Sequence, residues 1–175
     1  MNPILCEESA AFAPFDLVKT PKFDKNTDKV KLAINSYELA NSYYVAAALL
    51  FKSSYGLMPV VLSNVSFACE LYLKALLFGY EIDFGNTHGL KNLFDKLPHD
   101  IKDYVSRNID IDNREKEFQL CLAEQNDAFV TYRYMNEVKS IAANPRFLFA
   151  FAHILKFVYE TLTDKQNTIK DQSEI

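Results

Sequence analysis

PVVLSNVSFACELYLKALLFGYEIDFGNTHGLKNLFDKL, residues Pro59 to Leu97, joins a long apolar run to a glycine-bearing break and a second, shorter apolar run. Val61, Val65, Ala68, Leu71, Tyr72, Ala75, Leu76 and Gly79 recur at three- and four-residue spacing. That period predicts a helix from Pro59, a good first-turn residue, to about Tyr80. Phe67, Leu73, Leu77 and Phe78 cover much of the remaining circumference, leaving Ser63, Ser66, Glu70 and Lys74 as a narrow polar stripe. A helix this apolar packs on several sides and is central to its domain. Glu70 and Lys74 stand in i, i+4 order, worth about 0.2–0.5 kcal/mol if exposed, and fit either a solvated salt bridge or a functional pair. Gly79 and Gly85 break the run. After Thr87-His88-Gly89-Leu90, a short helix over residues 88–98 turns Leu90, Leu93, Phe94 and Leu97 inward and stops at Pro98.

Working outward, the pattern stays helical. Residues 1–26 carry Pro3, Pro14 and Pro21 among Phe12, Phe15, Leu17 and Phe23, which reads as an extended N-terminal arm whose aromatics pack onto the body. A long first helix runs from a cap at Asn26 or Thr27 to about Ser53, with Val30, Ala33, Ile34, Tyr37, Ala40, Tyr44, Ala47 and Leu50 or Phe51 as its apolar face. Downstream, a short helix covers Ile101 to Val105, and Asp110 to Asn113 form a loop and cap. Arg114 to about Phe129 is helical through Phe118, Cys121, Leu122, Gln125, Ala128 and Phe129, and the pattern weakens over the β-branched and aromatic residues up to Met135. Asn144 caps the last helix, Pro145 opens it, and Phe147, Leu148, Phe151, Ile154, Leu155, Val158 and Leu162 form its core face. From Thr163 the sequence turns polar, and residues 164–175 read as a frayed tail. The expectation is an all-α domain over residues 27–163, an up-and-down bundle of four to five helices with short accessory helices.

Composition bounds the chemistry. The 175 residues are 49% apolar and 24% charged, the balance of a folded domain, and four glycines leave little material for the turns of a many-stranded β protein. A net charge of −4 excludes a global basic field, so nucleic-acid binding would need a local patch. Cys6, Cys69 and Cys121 form no CxxC or Cys/His metal spacing, and Cys69 and Cys121 sit in apolar helical surroundings. There is no phosphate-cradling glycine loop, HExxH, EF-hand loop or GxSxG elbow, and no cofactor or metal is expected. The opening MNPILCEE lacks the basic start of a signal peptide, and no run is read as a membrane span. A reduced, cytoplasmic protein without a membrane partner is expected.

Few residues are left for function. His99 follows Pro98 on a loop and is assigned no role. His88 either caps and packs locally or reaches the polar stripe of the second helix. Arg146 and His153 lie seven residues apart on the last helix, so they share a face about 10.5 Å apart along the axis. Such a pair suits metal-free phosphodiester cleavage, with histidine moving a proton and arginine steadying phosphate charge, and it suits equally the polar stripe of an amphipathic helix. Arg133, between Tyr132 and Tyr134, suits stacking on a base, binding phosphate, or a buried salt bridge to a residue such as Glu70.

Three pieces in order resemble the HEPN superfamily, the helical domains named for higher eukaryotes and prokaryotes nucleotide-binding. Ala68 to Leu77 (ACELYLKALL) resembles its E-x-x-x-K-A-L-L helix, His88 to Leu93 (HGLKNL) its H-x-L-x-x-L turn, and Asn126 to Tyr134 the segment ending in Arg-Tyr before the last helix. The resemblance implies a helical bundle, often homodimeric, that binds RNA or nucleotide in a prokaryotic defence or toxin–antitoxin-type stress system. Glu70, Lys74, His88, Arg133 and Tyr134 would then line or brace a polar cleft. It also implies two alternatives. One is a metal-independent endoribonuclease using Arg146 and His153, whose six intervening residues meet the family's Arg-to-His spacing at its upper limit, although Phe147 stands where that motif has a polar residue. The other is a non-catalytic interaction domain that contacts a partner protein through the second helix's polar stripe. A nucleotidyltransferase or another defence-system protein is the partner the resemblance suggests.

Overall fold

A computed structural model describes residues 28–53, 57–109, 114–134 and 143–173. Among these the chain is all-helical: α1 (Asp28–Ser53), α2 (Met58–Gly79), α3 (Leu90–Phe94), α4 (His99–Asn108), α5 (Arg114–Glu124), α6 (Ala128–Arg133) and α7 (Pro145–Ser173). The N-terminal arm, the Asn26 or Thr27 cap and the Asp110 to Asn113 loop lie outside the described residues.

Three long helices, α1, α2 and α7, carry the bundle, and α2 is its axis, packing against α1, α3, α6 and α7. Its length and apolarity would suffice to cross a membrane, but most of that apolar surface is buried inside the bundle. Val61, Val65, Ala68, Cys69, Tyr72, Leu73, Ala75, Leu76 and Leu77 are all fully buried. α1 runs antiparallel along it. Tyr43 meets the Phe67 ring edge-on at 4.7 Å, and Tyr72 donates its hydroxyl to Asn41 Oδ1 at 2.6 Å. Small residues, Ala33, Ala40 and Ala47, bring the α1 backbone close, whereas Ile34, expected on this face, is 44% exposed.

Phenylalanine does the joining further out. Phe94 of α3, Phe118 of α5, and Phe147 and Phe151 of α7 form one aromatic cluster with centroids 5.1–5.9 Å apart. Tilted and edge-on rings at these separations add about 0.5–1.5 kcal/mol per pair beyond area burial. α7 begins as its sequence predicts, with Asn144 Oδ1 accepting from Phe147 N at 3.0 Å and Pro145 as the first helical residue. It runs on to Ser173, through the polar segment read as a tail.

Two boundaries differ from expectation. α4 is ten residues long and begins at His99, which is therefore helical and pairs with Asp103 at 3.1 Å rather than sitting on a loop. The helix from Arg114 ends at Glu124, ahead of the β-branched residues that were expected to break it, and Ala128–Arg133 is helical. The break falls at Gln125–Asp127 because these residues bond elsewhere. Gln125, 1% exposed, accepts from the Tyr132 hydroxyl, and Asn126 is committed to α3.

Candidate functional site

Glu70 is 1% exposed, so it is no solvated partner for Lys74. Its Oε1 accepts from Lys74 Nζ at 2.7 Å and lies 2.8 Å from His88 Nδ1, while Lys74 Nζ is 3.4 Å from that same nitrogen. The i, i+4 spacing delivers Lys74, and the loop after α2 delivers His88. An ionised carboxylate can only accept, so the short contact places the proton on Nδ1. Glu70 Oε2 is buried without a hydrogen-bond partner. The Lys74 side chain is largely covered, and its ammonium lies 5.8 Å from the Phe84 ring centroid. The His88 side chain, by contrast, is 61% exposed. Along the α2 stripe Ser66 and Glu70 are buried, whereas Ser63 and Lys74 are partly exposed.

The path that carries His88 is fixed at both ends. At the start, Tyr80 ends α2 and Glu81 adopts the left-handed conformation (φ 56°). Glu81 N bonds Phe78 O at 3.0 Å and Ile82 N bonds Leu77 O at 2.9 Å, which closes the helix in a Schellman motif. At the far end, α3 is preceded by Gly89 at its N-cap position, which has no side chain to cap it. Asn126 supplies the cap from the α5–α6 turn: its carbonyl accepts from Leu90 N at 2.8 Å and its Oδ1 from Lys91 N at 3.0 Å. The fit is close, since a Cβ on Gly89 would lie 2.6 Å from Asn126 Oδ1.

Arg133 is exposed at the end of α6. Its guanidinium carbon lies 4.9 Å from the Phe129 centroid and 5.1 Å from the Tyr134 centroid, and Nη2 donates to the Tyr134 hydroxyl at 2.8 Å. Phe129 stacks in turn on Phe67 of α2 at 4.4 Å. Phe67 lies one turn from Glu70, so this aromatic column stands beside the Glu70–Lys74–His88 cluster. The structure thus makes two groups, Glu70 with Lys74 and His88, and Arg133 with Tyr134 and Phe129, the second reaching α2 through Phe67. The partners of Glu70 are Lys74 and His88, and the Arg133–Glu70 salt bridge, one of the alternatives the sequence left for Arg133, is not formed.

Arg146 and His153 both lie on α7. Arg146 is exposed and His153 half-buried. Between them, Phe149 and Ala150 are 7% and 8% exposed, and Phe149 packs against Tyr44 and Phe51 of α1. Burial first, then Lys156, holds the His153 pKa below its ordinary value, with Glu160 acting the opposite way. Burial also raises the pKa of Cys69 and Cys121, which disfavours their thiolates. Among the described residues no cluster of His, Cys, Asp or Glu could hold a metal ion.

The sequence did not single out Asn126, Gly89, Phe67 or Phe129 as site residues. Asn126 caps a helix that starts more than thirty residues earlier, and no local pattern announces a cap supplied from so far away. The Phe67–Phe129 stack looks like ordinary core spacing.

A family model, the HEPN domain, matches residues 35–144, and the chain belongs to that family. The match contains Glu70, Lys74, His88, Arg133 and Tyr134, and ends before Arg146 and His153. No curated protein and no solved structure matches the chain.

Proposed function

We propose that this HEPN domain binds RNA or a nucleotide on the strip formed by α2, the His88 loop and α6. The observation that carries the reading is the exposed Arg133 guanidinium packed with Phe129 and Tyr134, one aromatic column away from the exposed His88 imidazole. A cation and aromatic faces at a surface stack on bases, and the cation also meets phosphate. Titrating a labelled single-stranded RNA against wild type and Arg133→Ala tests it. Weaker binding by a variant that melts normally supports the reading, and unchanged binding opposes it. Within this reading the protein acts in the prokaryotic cytoplasm as a homodimer, in a defence or toxin–antitoxin-type stress system beside a nucleotidyltransferase or another defence protein. Light scattering and co-purification with products of adjacent genes test that context.

One observation favours a second reading, an endoribonuclease using Arg146 and His153. They share a face of α7, and the lowered pKa keeps His153 neutral near pH 7, able to accept a proton. The covered Phe149 and Ala150 between them mean that long side chains, or a second subunit, must complete the site. Incubating total RNA with wild type and His153→Ala in EDTA separates the two readings. Equal residual cleavage by both proteins removes the ribonuclease.

A further inference from the structure

We propose that His88 is the residue that reads a ribose hydroxyl, so that the site prefers ribonucleotides to deoxyribonucleotides. The inference rests on the RNA or nucleotide reading of the strip and adds its specificity. Glu70 Oε1 lies 2.8 Å from His88 Nδ1, and the carboxylate is 1% exposed, so one edge of the imidazole is held in the protein. Because Nδ1 carries the proton toward the carboxylate, Nε2 is left at the other edge of a side chain that is 61% exposed. In the neutral ring Nε2 accepts a hydrogen bond, and in the imidazolium it donates one. A phosphate oxygen can answer only the second state. A hydroxyl, donor and acceptor at once, answers both, and the 2′-hydroxyl is the group that separates RNA from DNA at a given site.

The loop is built to hold this edge still. The Schellman closure at Glu81 fixes one end, and the Asn126 cap, fitted against Gly89, fixes the other. Glu70 acts here as a positioning residue and Lys74 as its second donor. The ribose of a polymer and that of a free ribonucleotide offer Nε2 the same chemistry.

The test uses one labelled single-stranded sequence prepared as RNA and as DNA, titrated by fluorescence anisotropy in EDTA, with AMP and dAMP as competitors. Wild type should prefer RNA by about fivefold or more, the scale of one hydrogen bond. Competition by AMP but not dAMP would identify the free nucleotide as the source of the ribose, and no competition by either would identify the polymer. His88→Asn keeps an amide N–H at the Nδ1 position and removes Nε2. It should melt within about 2 °C of wild type and lose the preference while still binding. Equal affinity of wild type for RNA and DNA, or a preference that survives in His88→Asn, overturns the inference and leaves the binding function standing. Absence of binding to every probe overturns both. As a check without ligand, ¹⁵N shifts should show His88 with its proton on Nδ1, and a neutral ring protonated on Nε2 overturns the proposal.

Discussion

The Glu70 carboxylate and the His88 imidazole meet at 2.8 Å although 18 residues separate them in sequence. That contact converts an apparent surface ion pair on α2 into a buried anchor for the loop that follows it. A carboxylate at 1% exposure is tolerated only with donors in place, and Lys74 supplies the stronger of its two.

Removing one partner should therefore harm more than removing the pair. Lys74→Met should destabilise the domain by about 1–3 kcal/mol, because it leaves a buried anion with one donor. Adding Glu70→Leu should restore part of that loss. Urea denaturation of the two variants checks this, and a neutral Lys74→Met would mean that the pair is no anchor.

Gly89 is required for space, not for backbone conformation, since its φ is −66°. A methyl group there would lie 2.6–2.8 Å from the Asn126 and Asn92 side chains. Gly89→Ala should cost about 1–3 kcal/mol, the range for overpacking. Asn126→Ala alone should cost about 1 kcal/mol, as a lost helix cap. The double variant should fall short of the sum, because the shortened side chain relieves the clash. Full additivity would show that the two residues do not meet.

Glu81 holds a left-handed conformation that costs a residue with a side chain about 1–2 kcal/mol. Glu81→Gly should raise stability by about 0.5–1 kcal/mol, the remainder being offset by the flexibility of glycine in the unfolded chain. Thermal melts read this directly, and a lowered Tm would show that the Glu81 side chain contributes more than its backbone strain costs.

The His153 pKa is held below its ordinary 6.5, chiefly by burial. Between the folded value and 6.5 the unfolded chain binds more protons, so stability rises with pH across that window and falls on acidification. Replacing His153 with Gln should flatten this part of the curve. A wild type and variant with parallel Tm-versus-pH curves would place the imidazole in solvent.

The helices, their order and most of the core were legible because the 3.6-residue period of α1, α2 and α7 survives every tertiary detail. Asn144 and Pro145 fixed the start of α7 to the residue for the same local reason. What the sequence could not show depends on partners far along the chain. Glu70 and Lys74 give the same i, i+4 signal whether exposed or buried, and only the packing of α1, α3, α6 and α7 around α2 decides between them. The break at Gln125–Asp127 follows from hydrogen bonds to Tyr132 and to the start of α3, not from weak helix formers. Ile34 has the spacing of a core residue, yet α1 approaches its neighbours through alanines and leaves it 44% exposed.

Binding of single-stranded RNA to wild type and Arg133→Ala, followed by fluorescence anisotropy in EDTA with both melting curves recorded, tests the proposed function most directly. Loss of a stack worth about 1–3 kcal/mol predicts a roughly five- to hundredfold weaker complex. Because Arg133 is exposed, Tm should stay within about 2 °C. Equal affinity of the two proteins for RNA would contradict the account.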